Sequence, residues 1–279
     1  MTDTLFADVS EFQVPVDDSY PYEVLSIRVC DGTYQDHNFA ANYAWMRTAL
    51  DSARLTFGIV YTYVRPNWQA NADTVRETID AAGGLHPRVA LMLDVESGGN
   101  PPGDGSGWIN ALYWNLADYA GSATRIIGYA NAFDFYNMWR SRPAGLRVIG
   151  AAYGSDPDLP GQVAHQYTDG RGYSPNLPQG CPPFGYCDMN SADGLTPQEL
   201  AAQCGITTNE GWLMALTDDE QAELLSKVRD IWDQLLGPNG AGWPQLGQSS
   251  NGQDLTPIDA IAAIKQDVQS LGAAATSPG

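Results

Sequence analysis

Positive charge is scarce in this chain: 14 Lys and Arg stand against 33 Asp and Glu in 279 residues, a net of −19, and only Lys227 and Lys265 are lysines. Such a field repels phosphate backbones and anionic headgroups, so neither nucleic acid nor a membrane surface is an expected partner. Cysteine is equally thin. Four in the whole chain, with no matched C-x2-C pairs, exclude a disulfide scaffold and a structural zinc site. Cys181 and Cys187, six apart in a Pro- and Gly-rich stretch, leave two readings open: a bridge formed outside a cell, or two buried thiols. No apolar run approaches the eighteen or so residues that span a bilayer, and Met1 to Asp8 has neither the basic nor the apolar region of a secretion signal. No export signal is therefore expected.

Several chemistries are missing too. There is no Gly-x-Ser-x-Gly elbow, and Gly103 to Gly107 lacks the Lys of a phosphate-binding loop. Asp188-x-Asn190 with Gly194 puts the glycine seventh, where a calcium loop needs it sixth. His37, His86 and His165 lie far apart without helical zinc spacing. No metal and no cofactor is expected.

What the chain does have is core: 43% hydrophobic residues, eight Trp and fourteen Tyr exclude a disordered polypeptide. Its length suits one closed α/β barrel with an appendage. Short β-branched runs predict strands at Leu5 to Val9, Val24 to Val29, Thr56 to Tyr63, Val89 to Val95, Arg125 to Tyr129, Leu146 to Ala152 and Gln162 to Gln166. Helical patterns lie between them at Asn38 to Ser52, Asn71 to Ala82, Gly107 to Tyr119 and Asp134 to Arg140, several opened by Asn or Asp. The fold class expected is α/β, an irregular TIM-like βα barrel over residues 1–205. A doubly wound open sheet is the alternative, without a Gly-x-Gly-x-x-Gly after the first strand to support it.

Residues 206–279 differ in character. Thr217 and Glu220 form a capping box before a helix with Leu225, Val228, Trp232 and Leu235 at 3-4-3 spacing, ended by Gly237-Pro238. Gly237 to Gln253 reads as a flexible linker to a second helix, opened at Thr256-Pro257 and carrying Ile261, Ile264, Val268 and Leu271. Two such helices cannot bury their apolar faces alone. Either the barrel covers them, or other copies of the chain or partners in an assembly do.

The strongest chemical signal ends an apolar run, Val89-Ala-Leu-Met-Leu-Asp-Val-Glu96. Residues i and i+2 of a strand face one side, so Asp94 and Glu96 emerge together at the strand's C-terminal end, where βα barrels build their sites. Like charges held close raise at least one pKa and keep a proton available as general acid. A lone D-x-E also reads as a helix cap or a solvated strand end. Asp8, ending the first strand, and Asp188, beyond the last, shift the balance, because a barrel brings both into the same ring. Tyr61, Tyr63, Trp68, Tyr129, Tyr153 and Tyr167 fall at or just past strand ends. Aromatic faces that stack on sugars beside paired carboxyls are the chemistry of glycan cleavage, although any one of them also reads as core or rim.

Across roughly residues 4–192 the chain resembles the lysozyme-type muramidases of glycoside hydrolase family 25. The family's opening Asp-x-Ser with a nearby Gln looks like Asp8-Val-Ser10 and Gln13. Its central Asp-x-Glu looks like Asp94-Val-Glu96, and its late Gln-Tyr-Thr and Asp-x-Asn look like Gln166-Tyr167-Thr168 and Asp188-Met-Asn190. The resemblance implies hydrolysis of the N-acetylmuramic acid to N-acetylglucosamine bond of peptidoglycan. Glu96 would be the general acid, and Asp94 would stabilise the oxocarbenium-like centre or orient the substrate's acetamido group. Asp8 and Asp188 would complete the catalytic ring, with Ser10, Gln13, Tyr61, Tyr63, Tyr129, Gln166, Tyr167 and Asn190 as substrate contacts. Family members commonly come from bacteria and their viruses, which implies action at the bacterial wall as a lysin released by host lysis machinery, or as a virion tail protein with a weakly active or inactive barrel. Peptidoglycan is then the expected partner, with a homo-oligomer or phage tail proteins held through the C-terminal helices. The chain departs from the pattern at His165, where Trp often precedes Gln-Tyr, near Ala151, where another Trp is usual, and at Cys30-Asp31-Gly32, where Glu-Gly is common. His165 reads as structural, with stacking on sugar or hydrogen-bond donation as the alternative.

Overall fold

Eight short strands with helix-length connections can hide their backbone edges only by closing on themselves. In the computed structural model, which describes residues 3–172, 176–207 and 217–275, they do so. The strands are β1 (Leu5–Val9), β2 (Val24–Asp31), β3 (Phe57–Tyr63), β4 (Val89–Asp94), β5 (Ile126–Asn131), β6 (Arg147–Ala151), β7 (Gln162–Thr168) and β8 (Asp188–Ser191). They pair in the order β1-β8-β7-β6-β5-β4-β3-β2, and β1 against β2 completes the ring. Every pairing is parallel except those of β8, which runs antiparallel to β1 and β7.

Helices α1 (Phe39–Asp51), α2 (Trp68–Ala81), α3 (Ser106–Ala120) and α4 (Ala132–Asn137) follow β2 to β5, and a loop alone joins β6 to β7. Asn67 caps α2 by accepting from the Ala70 N–H, and Asn131 caps α4 by accepting from Asp134. These caps explain why both helices begin two or three residues before the predicted starts. A fifth helix, α5 (Pro197–Gln203), opens on a Thr196/Glu199 capping box.

Alternation along the strands divides the core in two. Outward residues such as Leu25, Ile27, Val60, Leu91 and Leu93 pack against Met46, Leu50, Val75, Ile79 and Leu112 of the helices. Inward residues Phe6, Val24, Phe57, Ala90 and Ile127 fill the bottom of the barrel, closed by Leu200 and Ala201 of α5 and by Cys204, its C-cap. Each Val, Leu, Ile, Phe or Met among them contributes roughly 1.5–3 kcal/mol on burial. The inward positions above them turn polar, and the site lies there.

Two parts of this unit escape the sequence pattern. Asp-Met-Asn-Ser is too short and polar to read as a strand, yet β8 seals the barrel, so Asp188 begins a strand where the pattern expected one to have ended. Between β7 and β8 a small hairpin pairs Gly180–Cys181 with Gly185–Tyr186. All four cysteines are buried free thiols in this structure.

The chain divides into two units, Met1–Thr208 and Asn209–Gly279. In the second, α6 (Asp218–Leu236) carries the predicted Thr217/Glu220 capping box and stops at Gly237, whose φ of 77° suits glycine. The expected linker is partly ordered instead: Trp243–Gln248 pairs antiparallel with Asp254–Leu255, and the Trp243 indole donates to the Gln234 carbonyl. Thr256 and Asp259 then open α7 (Pro257–Ala275). Among the described residues no helix is long and apolar enough to cross a membrane.

The seam between β1 and β2 depends on a buried phenol. Tyr20 accepts from the Ala7 N–H and donates to the Val24 carbonyl, and it is only 2% exposed. Tyr20→Phe leaves both backbone groups unpaired, at an expected cost of roughly 1–3 kcal/mol. Urea unfolding of the variant should show a lower midpoint with an unchanged slope; an unmoved midpoint would refute this role.

Candidate active site

The upper inward positions of seven strands converge on one cavity of about 190 Å³. Asp94 ends β4, flanked in register by Tyr63 of β3 and Tyr129 of β5. Across the ring, Asp8 of β1 stands directly opposite Asp188 of β8. Directly opposed residues of antiparallel strands lie about 5 Å apart on one face, so these carboxyls crowd each other. Ser10, Tyr61, Gln166 and Glu96 join them in the lining, and the Tyr129 hydroxyl donates to Gln166 Oε1 at 2.8 Å.

Glu96 lies just beyond its strand on a loop held from several sides. Asn100 Nδ2 donates to the Glu96 carbonyl at 2.8 Å, and Tyr63 and Arg65 donate to the Gly98 carbonyl at 2.8 and 2.9 Å. Asp134, buried at the start of α4, accepts from the Ser97 N–H at 3.2 Å. Asp31 grips Arg65 with both oxygens and so steadies the same loop.

Burial dominates the electrostatics. It pushes Asp8 up to about 8, helped by Asp188 and opposed by a hydrogen bond from Tyr61. Asp188 rises to about 7, again through burial, with the charges of Asp169 and Glu96 adding to it. Asp94 is held well above the usual carboxylate range by burial and then by Glu96 and Asp8. Burial raises Glu96 as well, against a hydrogen bond with Asp94 that lowers it. The Asp94–Glu96 pair thus retains a proton in a range where free carboxyls have lost theirs.

Sequence reasoning overlooked the cation of this cavity. Arg28 of β2 lines it while pairing with Asp36 at 2.9 Å and Glu11 at 3.1 Å. The signal was present: Val24, Ser26 and Arg28 share one face of a strand, and its polar end points where Asp8 does. Phe12, 79% exposed, and Met92 also line the cavity. A second hollow of about 220 Å³ shares Glu96 and Tyr129 and extends past Asn131, Ala151 and Tyr153.

Three expected substrate contacts lie elsewhere. The Gln13 side chain accepts from the Ser10 N–H and shapes that loop. Tyr167 follows inward-facing Gln166, so it points outward, buried, with its hydroxyl on the Pro178 carbonyl. Asn190 faces in but sits one layer below Asp188, fully buried and donating to the Phe6 carbonyl. Of the aromatics at strand ends, Trp68 packs on the outer core. His165 is also outward, its Nδ1 2.7 Å from Asp193 Oδ1. With Asp156 these two form a group whose ligand atoms could hold a metal ion. Gln162 already donates to Asp156 at 2.7 Å, so the group is engaged by its own hydrogen bonds.

Comparisons with known proteins match the second unit, the whole chain and the barrel in turn. A family model described as the Rv3766 C-terminal domain matches residues 216–271. Rv3766 of Mycobacterium tuberculosis is 81% identical over 271 residues, spanning 97% of this chain and 99% of its own length. Among solved structures, the catalytic domain of the endolysin Ply40 from bacteriophage P40 of Listeria monocytogenes is 18% identical with a TM-score of 0.53, over 73% of this chain and 98% of that one. A family 25 glycosyl hydrolase from Bacillus anthracis is 15% identical with a TM-score of 0.56, over 71% and 92%. The autolysin LytC of Streptococcus pneumoniae, solved with a synthetic peptidoglycan ligand, is 17% identical with a TM-score of 0.51, over 68% and 46%. The barrel therefore has the fold of the family 25 lysozymes and endolysins.

Raised carboxyl pKa values make stability fall as pH rises, because the folded protein holds protons that the unfolded chain releases. For Asp8 the window runs from its ordinary 3.8 up to about 8. The unfolding free energy should drop between pH 5 and 8, and Asp8→Asn should remove on the order of a few kcal/mol of that drop. Parallel pH profiles for the two proteins would contradict this assignment.

Proposed function

The chain belongs to the Rv3766 family, and we propose that its barrel is a peptidoglycan hydrolase of the muramidase type, cleaving the N-acetylmuramic acid to N-acetylglucosamine bond. The observation that carries this reading is the placement of Asp94 and Glu96 together in a tyrosine-lined cavity, where burial raises both carboxyls above their ordinary range. The fold of family 25 enzymes, and the peptidoglycan ligand bound by LytC, support the substrate class.

Glu96 is the more exposed member of the pair and lies where the two hollows meet, so it is assigned as the acid that protonates the glycosidic oxygen. Asp94, on the cavity floor, is assigned to the developing positive charge at the anomeric carbon or to the acetamido group that attacks it. Asp8 and Asp188 keep a dense ring of acids in which Arg28 offsets part of the charge. Tyr61, Tyr63 and Tyr129 line the cavity beside the carboxyls as apolar surface for sugar rings, with Ser10 and Gln166 as polar contacts. The site of action is the bacterial wall.

A second reading, a phage tail or wall-binding protein whose barrel is weakly active or inactive, draws its support from the other unit. Apolar residues along both helices stay open, with Trp232 57% and Ile261 67% exposed. Such faces favour self-association or assembly with other tail proteins.

Incubation of purified peptidoglycan with the protein should release muropeptides with new muramic acid reducing ends, read by mass spectrometry. Glu96→Gln should lower that rate at least about 100-fold while keeping the fold. Equal rates would remove Glu96 from its role; no cleavage of any wall by either protein would favour the second reading. If the open helix faces assemble copies of the chain, light scattering should give a multiple of 30.1 kDa that falls in Ile261→Glu. A monomeric mass for the unaltered protein would end the self-association idea.

A further inference from the structure

Two thiols that the catalytic reading leaves unused meet beside the site. The hairpin between β7 and β8 approaches itself closely at Gly180: a Cβ built there would lie 1.8 Å from the Gly185 carbonyl oxygen, and φ is 151°. That approach sets Cys181 across from Gly185, and Cys187, two residues beyond Gly185, falls on the same face as a diagonal neighbour of Cys181, its Sγ 3.8 Å from Met189 Sδ. Both are buried in the outer core. They differ in access. Cys181 forms part of the wall of a surface hollow of about 530 Å³ lined by the hairpin's own Gln179, Pro182, Pro183 and Tyr186, whereas Cys187 does not line it. The remaining cysteines are occupied elsewhere, Cys30 against Thr62 and Asn71, and Cys204 on α5 under the barrel.

We propose that Cys181 and Cys187 are a thiol–disulfide exchange site, entered through the hollow by a small disulfide oxidant such as oxidised glutathione. The Cys181 thiol loses its proton to solvent, and its sulfur attacks the oxidant's S–S bond, which breaks and releases one glutathione thiolate. Cys187, whose thiol burial and Cys181 hold above the ordinary range, gives up its proton to solvent only as its sulfur attacks Cys181 of the mixed disulfide; the Cys181–glutathione bond breaks and a second thiolate leaves. Two electrons pass to the oxidant, two protons are released, and one intramolecular disulfide forms. Because Cys187 directly precedes Asp188, the bond ties the hairpin to the residue that faces Asp8. The site stands on the thiols alone and holds whether or not the barrel cleaves glycan.

The test equilibrates the full chain across a series of reduced to oxidised glutathione ratios, quenches with acid, alkylates after unfolding, and maps the peptides by mass spectrometry. The expected product is a Cys181–Cys187 linked peptide, two hydrogens lighter than the reduced form, with Cys30 and Cys204 alkylated at every ratio. Cys181 and Cys187 both alkylated throughout, or linkage of either to Cys30 or Cys204, would overturn the proposal. Cys187→Ser should trap one glutathione on Cys181, and Cys181→Ser should leave Cys187 unmodified. An adduct on Cys187 instead would overturn the route through the hollow, and the unaltered chain's peptide map decides the pairing even if a variant fails to fold.

Discussion

The crowding of four carboxyls into one ring, Asp8 and Asp94 buried and Asp188 and Glu96 half-buried, is the constraint around which this barrel is organised. A closed sheet sends every second side chain inward, and once the lower positions are filled by Phe6, Val24, Phe57 and Ile127 the upper ones have little room and little water. Asp8, Asp94 and Asp188 occupy that space, with Glu96 just above it. Their destabilising effect on the folded state above neutral pH is the other side of their value as proton carriers. Arg28, the hydroxyl of Tyr61 and the anchored loop around Glu96 are the counterweights that let the ring persist.

The geometry also separates roles among groups of one chemical type. Asp94 sits on a strand whose position is fixed by neighbours on both sides, while Glu96 sits on a loop fixed by hydrogen bonds to its backbone. A rigid floor and a braced but more exposed mouth suit one group that waits and one that meets substrate. The bracing draws on residues far apart in sequence, among them Asp31, Tyr63, Arg65 and Asp134, which is why a change at any of them acts on Glu96 through its loop.

Strands with β-branched alternation were legible, and so was the Asp94–Glu96 pair, because period-two patterning and a carboxyl-tipped apolar run are local signals. Register was not. Tyr167 and Gln166 are adjacent, so a motif that names both necessarily misplaces one of them when only one face sees the cavity. Asn190 shares Asp188's face, yet depth along the barrel axis, invisible in spacing, puts it a layer too low. The polar β8 depends on partners nearly two hundred residues away, Leu5 to Asp8, and no local propensity announces it. In the second unit, the strands at Trp243–Gln248 and Asp254–Leu255 hide in a Gly- and Ser-rich stretch whose composition resembles a linker.

The reversed direction of β8 has a topological effect of its own. A parallel final strand would have to start at the bottom of the barrel, with a connection running its full height; an antiparallel one starts at the top, where β7 ends, so the hairpin of Gly180–Cys181 and Gly185–Tyr186 lies at the rim. Lengthening or trimming that rim would reshape the groove without touching the hydrogen bonds that close the cylinder. The fold thereby carries an adjustable wall on the side of Asp188, and related chains can diverge in what they admit while leaving the ring of acids unchanged.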